Sequence, residues 1–230
     1  RVARLAGAML SDEVIAIPAA SVIVLRDAPL EVLMMRRHAQ SSFMPDAWVF
    51  PGGVAEQIDN ELAAVTNGNE FLAAMRYTGI RETFEETGVW LGDALDDAPH
   101  KRRRLLAGSL TLRHLVSEAP VDLDALVWTS RWITPVGVPK RFDTYFFLTE
   151  VSRDVVASAE QTEGVDVTWI SPEDALARYA AKEMKLVFPT LRTLESLCGF
   201  DSVAALIDSR RGAVIEPIQP VLVNGKPALP

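Results

Sequence analysis

The run Arg81-Glu82-Thr83-Phe84-Glu85-Glu86-Thr87-Gly88-Val89 constrains this chain more than any other stretch. On a helix of about 3.6 residues per turn, Glu82, Glu85 and Glu86 project from one face. Ala73, Tyr77, Ile80 and Phe84 fall on the opposite face, at the spacing of a core stripe. Gly88 is the residue type that closes a helix in the left-handed conformation. Like charges at this spacing repel by a few tenths of a kcal/mol per pair on an isolated helix. A Glu-rich face is most often solvated surface. A chain that instead gathers three carboxylates for chemistry has a cation to place there, and oxygen-only ligands call for Mg²⁺ or Mn²⁺.

Composition narrows the class. The 230 residues suit a single domain, residues 1–230, with a core at about 17–200 and a C-terminal extension at about 201–230. A hydrophobic content of 49% is ample for a packed core, and the net charge of −8 argues against a nucleic-acid binder. The one cysteine, Cys198, excludes an internal disulfide and fits a reducing compartment. No apolar run approaches the roughly 18 residues of a membrane span. These features predict a soluble, cytoplasmic protein.

Strands are expected at Ala20 to Arg26, Glu31 to Arg37, Trp48 to Phe50, Trp128 to Trp132, Phe142 to Glu150 and Gly164 to Ile170. Asn69 caps a helix expected from Glu70 to Thr87. Gly79 inside it costs up to about 1 kcal/mol relative to alanine, which predicts close packing there. Ser171-Pro172-Glu173-Asp174 and Phe188-Pro189-Thr190 read as two further helix starts. The stretch 93–124 is helical and irregular, and the tail from Val214 is extended, lying over the domain or over a second subunit. The tail makes a homodimer an expectation.

Phe50-Pro51-Gly52-Gly53-Val54 precedes the acidic helix, and Glu163-Gly164 follows it, with Trp169 six residues after Glu163. Together with Arg81 to Val89 these residues resemble the Nudix hydrolase family. Its signature runs glycine, five residues, glutamate, seven residues, then Arg-Glu-U-x-Glu-Glu-x-Gly-U, with U aliphatic. Every fixed position of the second half matches; Thr83 is a polar substitute at U. The first half departs, because Gly53 lies twenty-eight residues before Arg81 instead of fourteen. The middle glutamate falls at Asp59 counted from Gly53, or at Ala73 counted from Arg81. Roughly fourteen residues are therefore inserted around Asn60 to Asn69, and the structural glutamate is lost unless Glu61 or Glu70 substitutes.

The resemblance implies an α/β fold: a Nudix α/β/α sandwich with a mixed sheet, an insertion within the box and a helical and extended C-terminal extension. It implies hydrolysis of a nucleoside diphosphate linked to another moiety. Glu82, Glu85, Glu86, Glu163 and the backbone carbonyl of Gly53 would hold Mg²⁺ or Mn²⁺. Arg81 would orient Glu82, and Glu82 or Glu163 would take the proton of the attacking water; Glu160 is the fallback for Glu163.

Phe43-Met44-Pro45, the stretched box, and Lys140 to Thr144 followed by Phe146-Phe147 are similar to the coenzyme A diphosphatase-like branch of the nudix hydrolase nineteen type. That resemblance implies coenzyme A or acyl-CoA as substrate, in a cytoplasmic relative without a peroxisomal signal. Arg37, Phe50 and Arg141 are the candidate substrate contacts; each arginine reads equally as a surface ion pair. Lys101 to Arg104 reads as a solvated helix face or as a contact for a 3′-phosphate. Trp48, Trp128 and Trp132 read as core or as stacking partners for adenine. NADH, ADP-ribose and a non-catalytic nucleotide-binding role stay as alternatives, and RNA is disfavoured by the charge.

Overall fold

Alternation along the first strand decides how the sheet is covered. Ala20, Val22 and Val24 belong to one apolar cluster, and Ile23 and Leu25 to another, as a period of two requires. A strand buried on both faces sits inside a three-layer sandwich. The computed structural model describes residues 14–41, 44–160 and 164–229.

The strands are β1 (Ile17–Arg26), β2 (Glu31–Arg37), β3 (Trp48–Val49), β4 (Gly52–Val54), β5 (Val127–Ile133), β6 (Phe142–Glu150), β7 (Gly164–Ile170), β8 (Pro217–Ile218), β9 (Val221–Val223) and β10 (Lys226–Ala228). The helices are α1 (Gln57–Ala63), α2 (Glu70–Thr87), α3 (Ala98–Leu106), α4 (Leu112–Glu118), α5 (Pro172–Ala180), α6 (Phe188–Leu197) and α7 (Val203–Arg210).

One edge of β1 is parallel to β6 from Ile17 opposite Phe142 to Leu25 opposite Glu150. Its other edge is shared. β4 pairs with Ala19 to Ser21, and β2 pairs only at Leu25 and Arg26 before it leaves β1 for β7 and β3. The sheet is thus mixed and splayed, and the glycines of β4 stand in the splay. Beyond β6, the sheet continues through antiparallel β5 to parallel β8, so the tail supplies an edge strand. β9 and β10 form a separate hairpin.

Helices α1, α2 and α4 cover one face, where Leu62, Ala73, Tyr77, Ile80 and Leu112 meet Val22, Val24 and Leu33. Helices α5 to α7 cover the other, where Ala175, Leu194, Val203 and Leu206 meet Ile23, Leu25 and Met34. Helix α7 thus joins the main core, although its residues lie within the stretch set apart as an extension. Each fully buried Leu or Ile contributes about 1.5–3 kcal/mol.

Helix α2 has the expected bounds. The Asn69 side chain accepts from the Leu72 amide, and Gly88 closes the helix at φ 73°. Gly79 packs on β1; a Cβ there would lie 2.7 Å from Val22 Cγ2. The burial of α2 exceeds a simple stripe, since Thr78, Thr83, Glu86 and Thr87 are buried as well. Strand β4 meets its carboxylate side, where the Gly52 amide donates to Glu86.

Candidate active site

Arg81 is the hub of the site. Its Nη1 donates to Glu82 Oε1 at 2.9 Å and to Glu85 Oε2 at 3.0 Å. Its Nη2 donates to Val54 O and to Asp59 Oδ2, both at 2.9 Å. One guanidinium therefore fixes two of the three helix carboxylates and ties them to β4 and α1. Burial by itself would lower the pKa of Arg81, but the hydrogen bonds of Asp59 and the charges of Glu82, Asp59 and Glu85 hold it well above its ordinary value. Arg81 stays charged. Burial pushes the Glu85 carboxyl above its usual range, against the pull of Arg81.

The third carboxylate is held differently. Glu86 is only 4% exposed, and its Oε2 accepts from the Gly52 amide at 2.8 Å. The neighbouring Gly53 leaves no room for a side chain; a Cβ there would lie 2.5 Å from Glu82 Cδ. The two glycines let the backbone of β4 run between Glu82 and Glu86, which is why this loop needs them. Glu82, Glu85, Glu86 and Gly53, expected together from the sequence, are together.

Asp59 corrects the sequence reading. Its position counted as a lost structural glutamate, yet it is 0% exposed. It accepts from Arg81 Nη2 and Nε, from Thr78 Oγ1 at 3.0 Å and from the Glu56 amide at 2.9 Å. Helix α1 delivers the shorter side chain to Arg81, and the inserted residues complete α1, with Leu62 and Ala63 in the core, before turning into α2. Neither fallback takes this place: Glu61 accepts from Gln57 on the surface and Glu70 is exposed at the start of α2. The signal was the count from Gly53, which the count from Arg81 contradicted.

Glu163 lies outside the described residues. Its fallback, Glu160, donates its amide to Glu86 O at 3.0 Å, so this segment passes the end of α2. Arg37 ends β2 opposite Gly164 of β7. Phe50 is buried in the core and meets Phe146 edge-on at 6.5 Å. Arg141 is buried, and its Nε and Nη1 donate to the carbonyls of Thr134 and Val14 at 3.0 and 2.8 Å. Neither Phe50 nor Arg141 is drawn into the Arg81 cluster by any of these contacts.

The basic run is not one solvated face. Lys101 pairs with Glu118 and Arg104 bonds Ser109 O, but Arg102 is buried against α2. Trp132 is core, Trp128 stacks on Tyr145 at 5.5 Å, and Trp48 packs against the core beneath α5 to α7.

The donors gathered here are all oxygens, which fits a hard divalent ion, and the absent Cβ of Gly53 leaves its backbone against Glu82. Among the described residues, no three acidic, histidine or cysteine side chains enclose an ion by themselves. A cation here would draw further oxygens from the backbone, from water or from a substrate.

The family model of the NUDT19 Nudix domain matches residues 66–197. The chain belongs to the NUDT19 Nudix domain family. The matched span opens just before α2 and ends with α6, so it holds the acidic helix but not Gly53 or Asp59. A Caenorhabditis elegans protein named as nudix hydrolase 7 is 30% identical over 186 residues, covering 78% of this chain and 59% of that protein. A Gallus gallus protein named acyl-coenzyme A diphosphatase NUDT19 is 29% identical over 235 residues, covering 75% of this chain and 62% of that protein. The chain thus spans about three fifths of the length of these relatives. The crystal structure of a NUDIX hydrolase from Alicyclobacillus acidocaldarius superposes with a TM-score of 0.75 at 28% identity, covering 84% of this chain and 96% of that one. The Nudix sandwich expected from the sequence is the fold observed. Among the described residues no helix is long and apolar enough to cross a membrane.

Proposed function

We propose that this NUDT19-type Nudix domain hydrolyses the diphosphate of coenzyme A or of an acyl-CoA, with Mg²⁺ or Mn²⁺ as cofactor. The observation that carries the reading is the buried Arg81, which orients Glu82 and Glu85 beside Glu86 and the two glycines of β4. The name of the Gallus gallus relative supports the choice of substrate.

Glu82, Glu85, Glu86, Glu163 and the carbonyl of Gly53 would hold the ion. When bound, the ion offsets the charge of the diphosphate against the carboxylates and lowers the pKa of a water. Arg81 keeps Glu82 pointed; Asp59 keeps Arg81 in place. Water attacks one phosphorus as the bridging P–O bond breaks. The proton of that water passes to Glu82, with Glu163 as the second choice, and the products are a phosphopantetheine and adenosine 3′,5′-bisphosphate. Arg37, which ends β2 opposite Gly164, is the candidate for a phosphate contact. Phe50 and Arg141, both buried, act through the framework.

Product analysis over coenzyme A, acyl-CoAs, NADH, ADP-ribose and nucleoside triphosphates tests the substrate. Preferential release of adenosine 3′,5′-bisphosphate from the CoA species is expected. Preference for another diphosphate sinks the substrate assignment and keeps the mechanism; nucleotide binding without cleavage of anything sinks both. A reducing compartment, the cytoplasm, suits a chain with a single cysteine. We also propose a homodimer through the tail; light scattering with and without residues 213–230 tests it, and an unchanged monomer mass in both would end it.

A further inference from the structure

The last carbonyls of an α-helix have no partner within the helix. At the end of α2 each finds one. Phe84 O accepts from the Gly88 amide at 2.9 Å, Glu86 O from the Glu160 amide at 3.0 Å and Thr87 O from the Ser158 amide at 2.8 Å. Glu85 O accepts from Arg102 Nε at 2.9 Å. Arg102 then reaches onward, its Nη1 donating to Ser158 O at 2.9 Å and to Ser158 Oγ at 3.1 Å. The same guanidinium thus grips the carbonyl of a site glutamate and the segment that carries Glu160.

The grip is built in. Arg102 is 9% exposed, and it crosses over Gly88, where a Cβ would lie 3.2 Å from its Nη1. Its Nη2 is buried with no hydrogen-bond partner among the described residues. Burial lowers its pKa, and the charges of Glu160 and Glu86 oppose that shift. Apolar contact already anchors α3, because Leu105 packs with Phe84; the guanidinium adds direction to that anchor.

We infer that Arg102 is a positioning residue: it holds segment 158–160 on the end of α2 and so fixes where Glu160 stands relative to Glu86. The inference rests on the hydrolytic reading above for its effect on turnover, but not for the contact itself. Lysine cannot replace it, since a single ammonium does not reproduce the fork.

Arg102→Lys and Arg102→Met would be compared with the wild type and with Leu206→Ala, which loosens the opposite layer of the fold. Amide exchange at Ser158 and Glu160 is expected to quicken by at least about tenfold in both Arg102 variants. On coenzyme A with Mg²⁺, kcat is expected to fall about 10- to 100-fold, the range for residues that orient other ligands, with KM changing less than about threefold. Leu206→Ala should lower the melting temperature and leave both readouts unchanged per folded molecule. Unchanged exchange and kcat in a folded Arg102→Met protein would overturn the inference, as would a loss of kcat no larger than the loss of folded protein. If the wild type cleaves none of the substrates, the hydrolytic reading fails, and the exchange rates still decide whether Arg102 holds the segment.

Discussion

Asp59 and Arg81 meet at 2.9 Å although they stand twenty-two positions apart in the chain. The contact joins α1 to the acidic helix and is buried on both sides. Removing one member of a buried ion pair leaves the other uncompensated, at about 3–5 kcal/mol. Total stability is only about 5–15 kcal/mol. Asp59→Ala should therefore lower the urea midpoint sharply and leave Glu82 and Glu85 without an oriented Arg81. A loss under about 1 kcal/mol in urea unfolding would show that Asp59 is dispensable.

Gly53→Ala should separate activity from stability. The added methyl meets the Glu82 carboxylate, which can swing away at little cost to the core. Turnover should fall about a hundredfold or more, while the melting temperature moves by no more than a few degrees. Near-normal turnover would mean that Glu82 need not stand against Gly53.

Gly79→Ala should do the reverse. Its Cβ would lie 2.7 Å from Val22 Cγ2, and overpacking costs about 1–3 kcal/mol. Better helix propensity returns about 1 kcal/mol. The net effect is destabilising, and adding Val22→Ala to Gly79→Ala should recover part of the loss because the two sites share the same space. Strict additivity in a double-mutant cycle would refute the contact.

Cys198 offers a pH readout away from the site. Burial, then the charge and hydrogen bond of Glu173 and the charge of Glu195, raise its thiol above the ordinary value of 9.0. An acid raised in the folded state contributes stability below its unfolded pKa and loses it as pH rises through the folded value. Alkylation by iodoacetamide should therefore set in at higher pH than for a model thiol, and Glu173→Gln should bring the onset down. Equal onsets in the two proteins would contradict the assignment.

Much of this was legible in the sequence where the signal is local. Asn69, Gly88 and the apolar stripe marked both ends of α2, alternation marked β2, and the bounds expected for β2, β6 and β7 match to the residue. Glu82, Glu85 and Glu86 followed from their spacing on one helix face, and Gly53 from the resemblance to the Nudix signature. What stayed hidden depends on long-range contact. Asp59 was masked by two counts that disagree across the insertion. Arg102 looked like its neighbours in a basic run, since nothing local says that one guanidinium turns in to Glu85 O. The two-residue pairing of β8 with β5 is too short to carry a pattern.

The most direct test of the central claim is release of adenosine 3′,5′-bisphosphate from coenzyme A by the wild type and by Glu86→Gln, with Mg²⁺ or Mn²⁺. The account predicts release by the wild type, loss of at least about a hundredfold in the variant, and little change in its melting temperature. Equal release by the two proteins, or none by either in the presence of metal, would contradict it.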